Sequence, residues 1–181
     1  MHHLKKKLIP LLFLNAVVGF TIPADQEDGV YMVHYDDAGE AVHTWLHGPV
    51  NESEITEAAT KRDGLLRIAR RDSDSVDCGG YDLAHADTDN AVEALKRQCD
   101  PSGAISQGLD FYSIAGSTVA YECNFGNKAV ICTRNEQGGS FDKITGVCGS
   151  YRAGWRTIQN SAAWYSIGYE DRGAKFCGRG P

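Results

Sequence analysis

LDFYSIAGSTVAYECNF, residues Leu109 to Phe125, holds two runs rich in β-branched and aromatic side chains, Leu109 to Ile114 and Ser117 to Phe125, on either side of Ala115-Gly116. Side chains of that kind suit a pleated, half-buried surface, and a small residue followed by glycine suits a tight reversal, so the stretch predicts an antiparallel hairpin. A third run, Ala129 to Thr133, follows Gly126-Asn127 and predicts a third strand after another short connection. Cys123 and Cys132 flank that second turn, close enough to bridge each other or to point outward to different partners.

Working toward the N-terminus, Asp87-Thr88-Asp89-Asn90 supplies capping side chains, and Ala91, Val92, Leu95 and Cys99 recur at helical spacing. The pattern predicts a helix over 89–99, with Glu93, Lys96 and Arg97 on its wet side, Asn90 and Glu93 as a capping-box-like pair, and Asp100-Pro101 as its end. Toward the C-terminus, Ser140 precedes Phe141, Ile144, Val147 and Cys148, again helix-spaced, and Gly149 stands where a helix cap belongs. Ile158, Trp164 to Tyr169 and Ala174 to Cys177 read as one or two further strands. Trp164, Ser166 and Gly168 would face one side, and Tyr165, Ile167 and Tyr169 the other. The expected fold is α+β: a small disulfide-stabilised antiparallel sheet with two packed helices.

All six cysteines, Cys78, Cys99, Cys123, Cys132, Cys148 and Cys177, follow the dibasic pair Arg70-Arg71. Ahead of that pair, the cationic start Met1 to Lys7 and the apolar run Leu8 to Phe20 read as a secretory signal peptide, too short and too interrupted for a membrane span. Ala16-Val17-Val18-Gly19 and Ile22-Pro23-Ala24 both offer a small residue for its cleavage. Lys61-Arg62 and Arg70-Arg71 are then expected sites for a kexin-type protease. The chain divides on this reading into a signal peptide over 1–24, a propeptide over 25–71 and a cysteine-rich mature domain over 72–181. The propeptide would hold a short strand at Val30 to Tyr35, an amphipathic helix from Ser53 to Arg71 and the N-glycosylation sequon at Asn51.

In the part after Arg71, six cysteines on a secreted domain of this size predict three disulfides, with 15 pairings open. Without a Cys-x-x-Cys and with His85 as the one histidine left, a zinc site is not expected. Ten Lys and Arg against fourteen Asp and Glu leave this part acidic, which argues against nucleic acid or an anionic membrane as partner. No integral membrane anchor and no cofactor are expected, and the product reads as a monomer.

Catalytic constellations are poorly supplied. His85, in His85-Ala86-Asp87-Thr88-Asp89, reads as part of a helix-entry loop more readily than as a metal ligand or an acid-base group. Glu122 and Arg134 could serve ribonuclease chemistry, but no later histidine stands ready as leaving-group acid. No carboxylate pair or serine lies in a glycosidase or hydrolase motif. The reading is therefore non-enzymatic, with a ribonuclease-like or polysaccharide-active enzyme as the alternative. Trp155, Trp164, Tyr151, Tyr165 and Tyr169 are the candidate binding surface, here weighed against a role as core and cross-strand pairs.

Cys78, the helix ending Leu95-Lys96-Arg97-Gln98-Cys99, the strand Val119 to Phe125, a second helix and the closing Gly173-Ala174-Lys175-Phe176-Cys177 follow one another in a recognisable layout. This layout resembles the necrosis-inducing effector domain family of plant-pathogenic fungi. With Cys148-Gly149-Ser150 after a helix, it also resembles, more loosely, the killer toxins of smut fungi. The resemblance implies a secreted effector or toxin, promoting virulence or cell death by binding a host or competitor protein without turnover. A module binding cell-wall polysaccharide is the further alternative.

Overall fold

The computed structural model describes residues 18–48, 73–100 and 102–179. The hairpin at the centre of the sequence is the centre of the fold. Strand β6 (Leu109–Ala115) pairs antiparallel with β7 (Thr118–Asn124). Gly116 turns between them at φ +53°, and a Cβ there would sit 2.3 Å from the Asp87 carboxylate, so only glycine fits. The turn is held by two acids from elsewhere in the chain. Asp28 accepts the Gly116 N–H at 2.8 Å, and Asp87 accepts the Ser117 N–H and hydroxyl at 2.8 and 2.9 Å.

Around the hairpin a seven-stranded antiparallel sheet is built from β2 (Gly29–Tyr35), β3 (Ala41–His47), β4 (Ser73–Asp82), β9 (Arg152–Gln159) and β10 (Trp164–Asp171), in the order β3-β2-β6-β7-β10-β9-β4. Helices α1 (His85–Gln98) and α2 (Arg134–Cys148) cover one face. Their apolar sides meet the sheet in a cluster that includes Leu95, Phe141, Ile144, Tyr165, Ile167 and Tyr169. On the other face lies a two-stranded ribbon, β1 (Val18–Phe20) with β11 (Phe176–Arg179), over a second cluster containing Phe20, Tyr31, Val33, Tyr112, Tyr121 and Phe176. A short pair of β5 (Gly103–Ile105) and β8 (Val130–Cys132) completes the set. The α+β fold with an antiparallel sheet and two helices is as expected, with more of the chain in strands.

Several elements differ in extent. Helix α1 begins at His85, not at 89, because Asp87 is spent on the β6–β7 turn and the helix opens from Ala84 without a side-chain cap. The expected Asn90–Glu93 capping pair gives way to Glu93 bonding with Arg134 and pairing with Lys96 and Arg97. Helix α2 begins six residues before Ser140, capped by the Thr133 hydroxyl, which accepts the Glu136 N–H. The third expected strand forms as β8 but pairs with β5, outside the main sheet.

The described part of the cysteine-free segment, residues 18–48, packs against the cysteine-rich part. The expected strand at Val30 to Tyr35 is β2, and it pairs with β6 inside the main sheet, with β3 as the edge beyond it. Phe20 and Ile22, inside the expected signal peptide, are buried in the second cluster. Cleavage after Ala24 would remove both from the core, whereas cleavage within Ala16 to Gly19 keeps them. The expected helix over Ser53 to Arg71, both basic pairs and Asn51 lie outside the described residues.

The cysteines pair as Cys78–Cys148, Cys99–Cys132 and Cys123–Cys177. Cys123 and Cys132 therefore point to different partners. The first bond ties edge strand β4 to the end of α2, the second ties α1 to β8, and the third ties the sheet to β11. Each closes a loop of between 33 and 70 residues, and on the chain-entropy account a loop of that size is worth about 4 kcal/mol.

Candidate functional site

Alternation along β10 decides which aromatics are available. Tyr165, Ile167 and Tyr169 share one face, as expected; that face meets the helix layer, and all three are buried. The Tyr165 hydroxyl donates to Glu136, and Tyr169 stacks on Phe141 and shares a 3.2 Å hydrogen bond with Thr145. These two tyrosines are core. Tyr151 lies elsewhere, at φ +55°, stacked on His85 with ring centroids 3.9 Å apart and donating to Asp89 at 3.2 Å. The five candidate aromatics thus do not form one platform.

Trp155 and Trp164 do share a face, the one opposite the helices. Gly168 pairs with Trp155 across β10 and β9, and a Cβ on it would fall 2.7 Å from the Trp155 Cβ and 2.7 Å from the Tyr121 hydroxyl. The missing side chain lets Trp155 of β9 and the Tyr121 hydroxyl approach β10 this closely. Thr157 and Ser166 are directly opposite each other one step along. With Phe125, Glu170 and Lys175 they line a groove of about 230 Å³ beside β11. At its end Phe125 packs on Trp164, centroids 5.4 Å apart, and Asn127 and Asn160 flank an adjoining hollow of about 320 Å³. Trp164 is 41 % exposed. Phe125 joins the two hollows and was not among the candidates singled out in the sequence. It closes the run Ser117 to Phe125, which the sequence marks only as a strand.

Electrostatics on this face centre on Glu170. The carboxylate is buried and accepts a hydrogen bond from Tyr81 on edge strand β4. Burial raises its pKa, and burial together with that carboxylate pushes the Tyr81 phenol up to about 12. Lys175 stands exposed at the rim. Aromatic faces, two hydroxyls, a carboxyl and an ammonium in one shallow groove suit contact with a polar, partly apolar surface such as a peptide segment or a sugar.

The residues weighed for catalysis are spread over different elements. Glu122, on β7 beneath α2, is 1 % exposed and receives a hydrogen bond from Gln137. Burial, with the Glu136 charge in second place, pushes its carboxyl up to about 8, so it is largely protonated at neutral pH. Arg134 is held by Glu93, and His85 by the Tyr151 ring. No hydrogen bond among the described residues links any two of the three. Cys99, Glu122 and Cys132 place their polar atoms together as a metal site would. Both sulfurs are bound to each other, however, and a protonated carboxyl is a poor ligand.

No helix among the described residues is long and apolar enough to cross a membrane. The fold and site define a disulfide-bonded, sheet-rich α+β domain with an aromatic groove on the sheet face away from the helices, beside β11. No family model, no curated protein and no solved structure matches the chain.

Proposed function

We propose that the protein is secreted, cut at its paired bases, and acts as an effector- or toxin-like protein that binds a host or competitor target without catalytic turnover. The observation that carries this reading is the groove of Trp155 and Phe125, continued by the hollow at Trp164 and laid over a floor that Gly168 shapes and the Cys123–Cys177 bond stiffens. A rigid, disulfide-tied sheet presenting half-exposed aromatics is preorganised for binding, because little side-chain freedom is left to lose. The three disulfides suit an extracellular setting. The resemblance to necrosis-inducing effector domains points to plant tissue as the first place to look.

The test is infiltration of the purified secreted protein into candidate host tissue beside three variants. Glu122→Gln and His85→Ala should keep the tissue response, and Trp164→Ala should lose it while remaining folded. A response lost with either of the first two and kept with Trp164→Ala would replace binding with catalysis.

A second reading, recognition of cell-wall polysaccharide, is favoured by the Asn127 and Asn160 amides beside the Phe125–Trp164 pair, since aromatic faces flanked by amides match the faces and hydroxyls of a sugar. Pull-down on insoluble chitin or β-glucan that weakens with Trp164→Ala would support it over a protein target.

A further inference from the structure

We propose that the N-terminal segment 18–48 is a resident subunit and not a discarded propeptide: after cleavage at the paired bases it stays seated on the cysteine-rich module, and the mature protein is two chains held without a covalent link. This rests on the processing reading above.

The seat is extensive. Strand β2 pairs with β6 over six residues, from Gly29 opposite Ile114 to His34 opposite Leu109. Val30 and Val33 are fully buried, and Tyr31 stacks on Tyr112 with centroids 5.1 Å apart. Ahead of them β1 pairs with β11, and Phe20 packs on Phe176 and Tyr112. Polar contacts tie the same segment to three further places. Asp28 holds the β6–β7 turn and pairs with Arg172, which also donates to the Gln26 carbonyl. His43 bonds the Tyr112 hydroxyl at 2.8 Å, and His47 bonds Gln98 of α1 at 3.2 Å.

Departure of the segment would leave the β6 edge without its ladder partner and uncover Tyr112, Ile114 and Phe176. An unpaired, apolar strand edge of that kind is a template for aggregation, so the module alone is a poor secreted product. Cutting the chain, by contrast, falls inside no strand among the described residues. Strands β3 and β4, which the basic pairs separate in sequence, lie at opposite edges of the sheet. No disulfide resists separation either, because all six cysteines follow Arg71 and pair among themselves.

The experiment uses full-length protein in which Lys61-Arg62 is changed to Ala-Ala and Arg70-Arg71 is replaced by the site of a sequence-specific protease. The purified chain is cut in native buffer and passed through a gel-filtration column, and the peaks are weighed by intact mass. Both pieces should leave in one peak, and concentrated guanidinium chloride without reductant should part them. A module that leaves alone, with the N-terminal piece in a later peak, overturns the proposal. Val33→Asp in the same background should lose the N-terminal piece from the peak after cutting, and its retention would mean that the buried β2 contacts are not what holds it. Wild-type secreted protein weighed alongside separates the two readings. An uncut wild type refutes natural processing, while the cut variant still decides retention.

Discussion

Phe20 packs edge-on against Phe176, ring centroids 4.7 Å apart, joining the start of the described chain to its last strand. Phe20 is 4 % exposed, and it also contacts Tyr35, His43 and Tyr112. The secreted protein should therefore begin at or before Phe20, and N-terminal sequencing that starts at Asp25 would contradict this. Phe20→Ala should cost about 3 kcal/mol of unfolding free energy in a denaturant titration, the usual loss for truncating a buried phenylalanine.

Glu122 sets a pH dependence of definite sign. Its folded pKa is raised to about 8 from an ordinary 4.5, so between those values the folded state holds a proton that the unfolded state has released. The stability associated with it is fully present below pH 4.5 and is lost as pH rises to about 8, at roughly 1.4 kcal/mol per unit. Glu170, also raised by burial, acts in the same direction. Urea midpoints measured across this range should fall with pH in the wild type and fall much less in Glu122→Gln. Equal slopes would mean that Glu122 is ionised in its buried site.

Much of this architecture could be read from local chemistry, and the part that could not was governed by long-range partners. The β6–β7 hairpin and the alternation along β10 were legible because apolar side chains mark the buried positions directly. The start of α2 was written in Thr133-Arg134-Asn135-Glu136, a capping pattern obscured by the Gly138-Gly139 pair just behind it. A Cβ at either glycine would meet nothing, so the pair costs helix propensity but no packing. Strand β4 is legible in hindsight only. Ser73, Asp74, Ser75 and Asp77 carry no apolar alternation, and they are a strand because β9 pairs with them and because an edge strand tolerates polar side chains. The N-terminal hairpin carries no cysteine, and its place beside β6 is set by hydrogen bonding and burial, which the cysteine distribution does not report. The groove was half legible. Trp155 and Trp164 carry it, but which of five aromatics faces outward depends on register, and Phe125 joins them only through the pairing of β7 with β10.

Edge strand β4 is fastened to α2 and β9 through one carboxylate. Asp74 accepts from Arg156 at 2.6 and 2.8 Å and from Lys143 at 2.6 Å, and these partners, Arg156 foremost, hold its pKa far below the usual range. A depressed carboxyl stabilises above its ordinary pKa of 3.8 and loses that contribution as pH falls through the folded value. Asp74 is a third exposed, so solvent screening keeps the gain to about 1 kcal/mol. Asp74→Asn should lower stability by that amount at pH 7 and by progressively less below pH 3.8. Hydrogen exchange should quicken along β4 before it does along β7.

Gly168 offers the sharpest test of the groove, because the residue touches no ligand and only shapes the floor. A methyl group there would meet the Trp155 Cβ and the Tyr121 hydroxyl at 2.7 Å and the Gly154 carbonyl oxygen at 2.8 Å. The carbonyl and the Trp155 Cβ both belong to the neighbouring strand, so β9 must shift at Trp155. Gly168→Ala should cost about 1–3 kcal/mol through overpacking and shift Trp155 fluorescence, read in a Trp45→Phe, Trp164→Phe background. If the groove is the recognition face, target binding should fall more than stability does. A variant that binds normally with a displaced Trp155 would move the site away from β9 and toward the Phe125–Trp164 end.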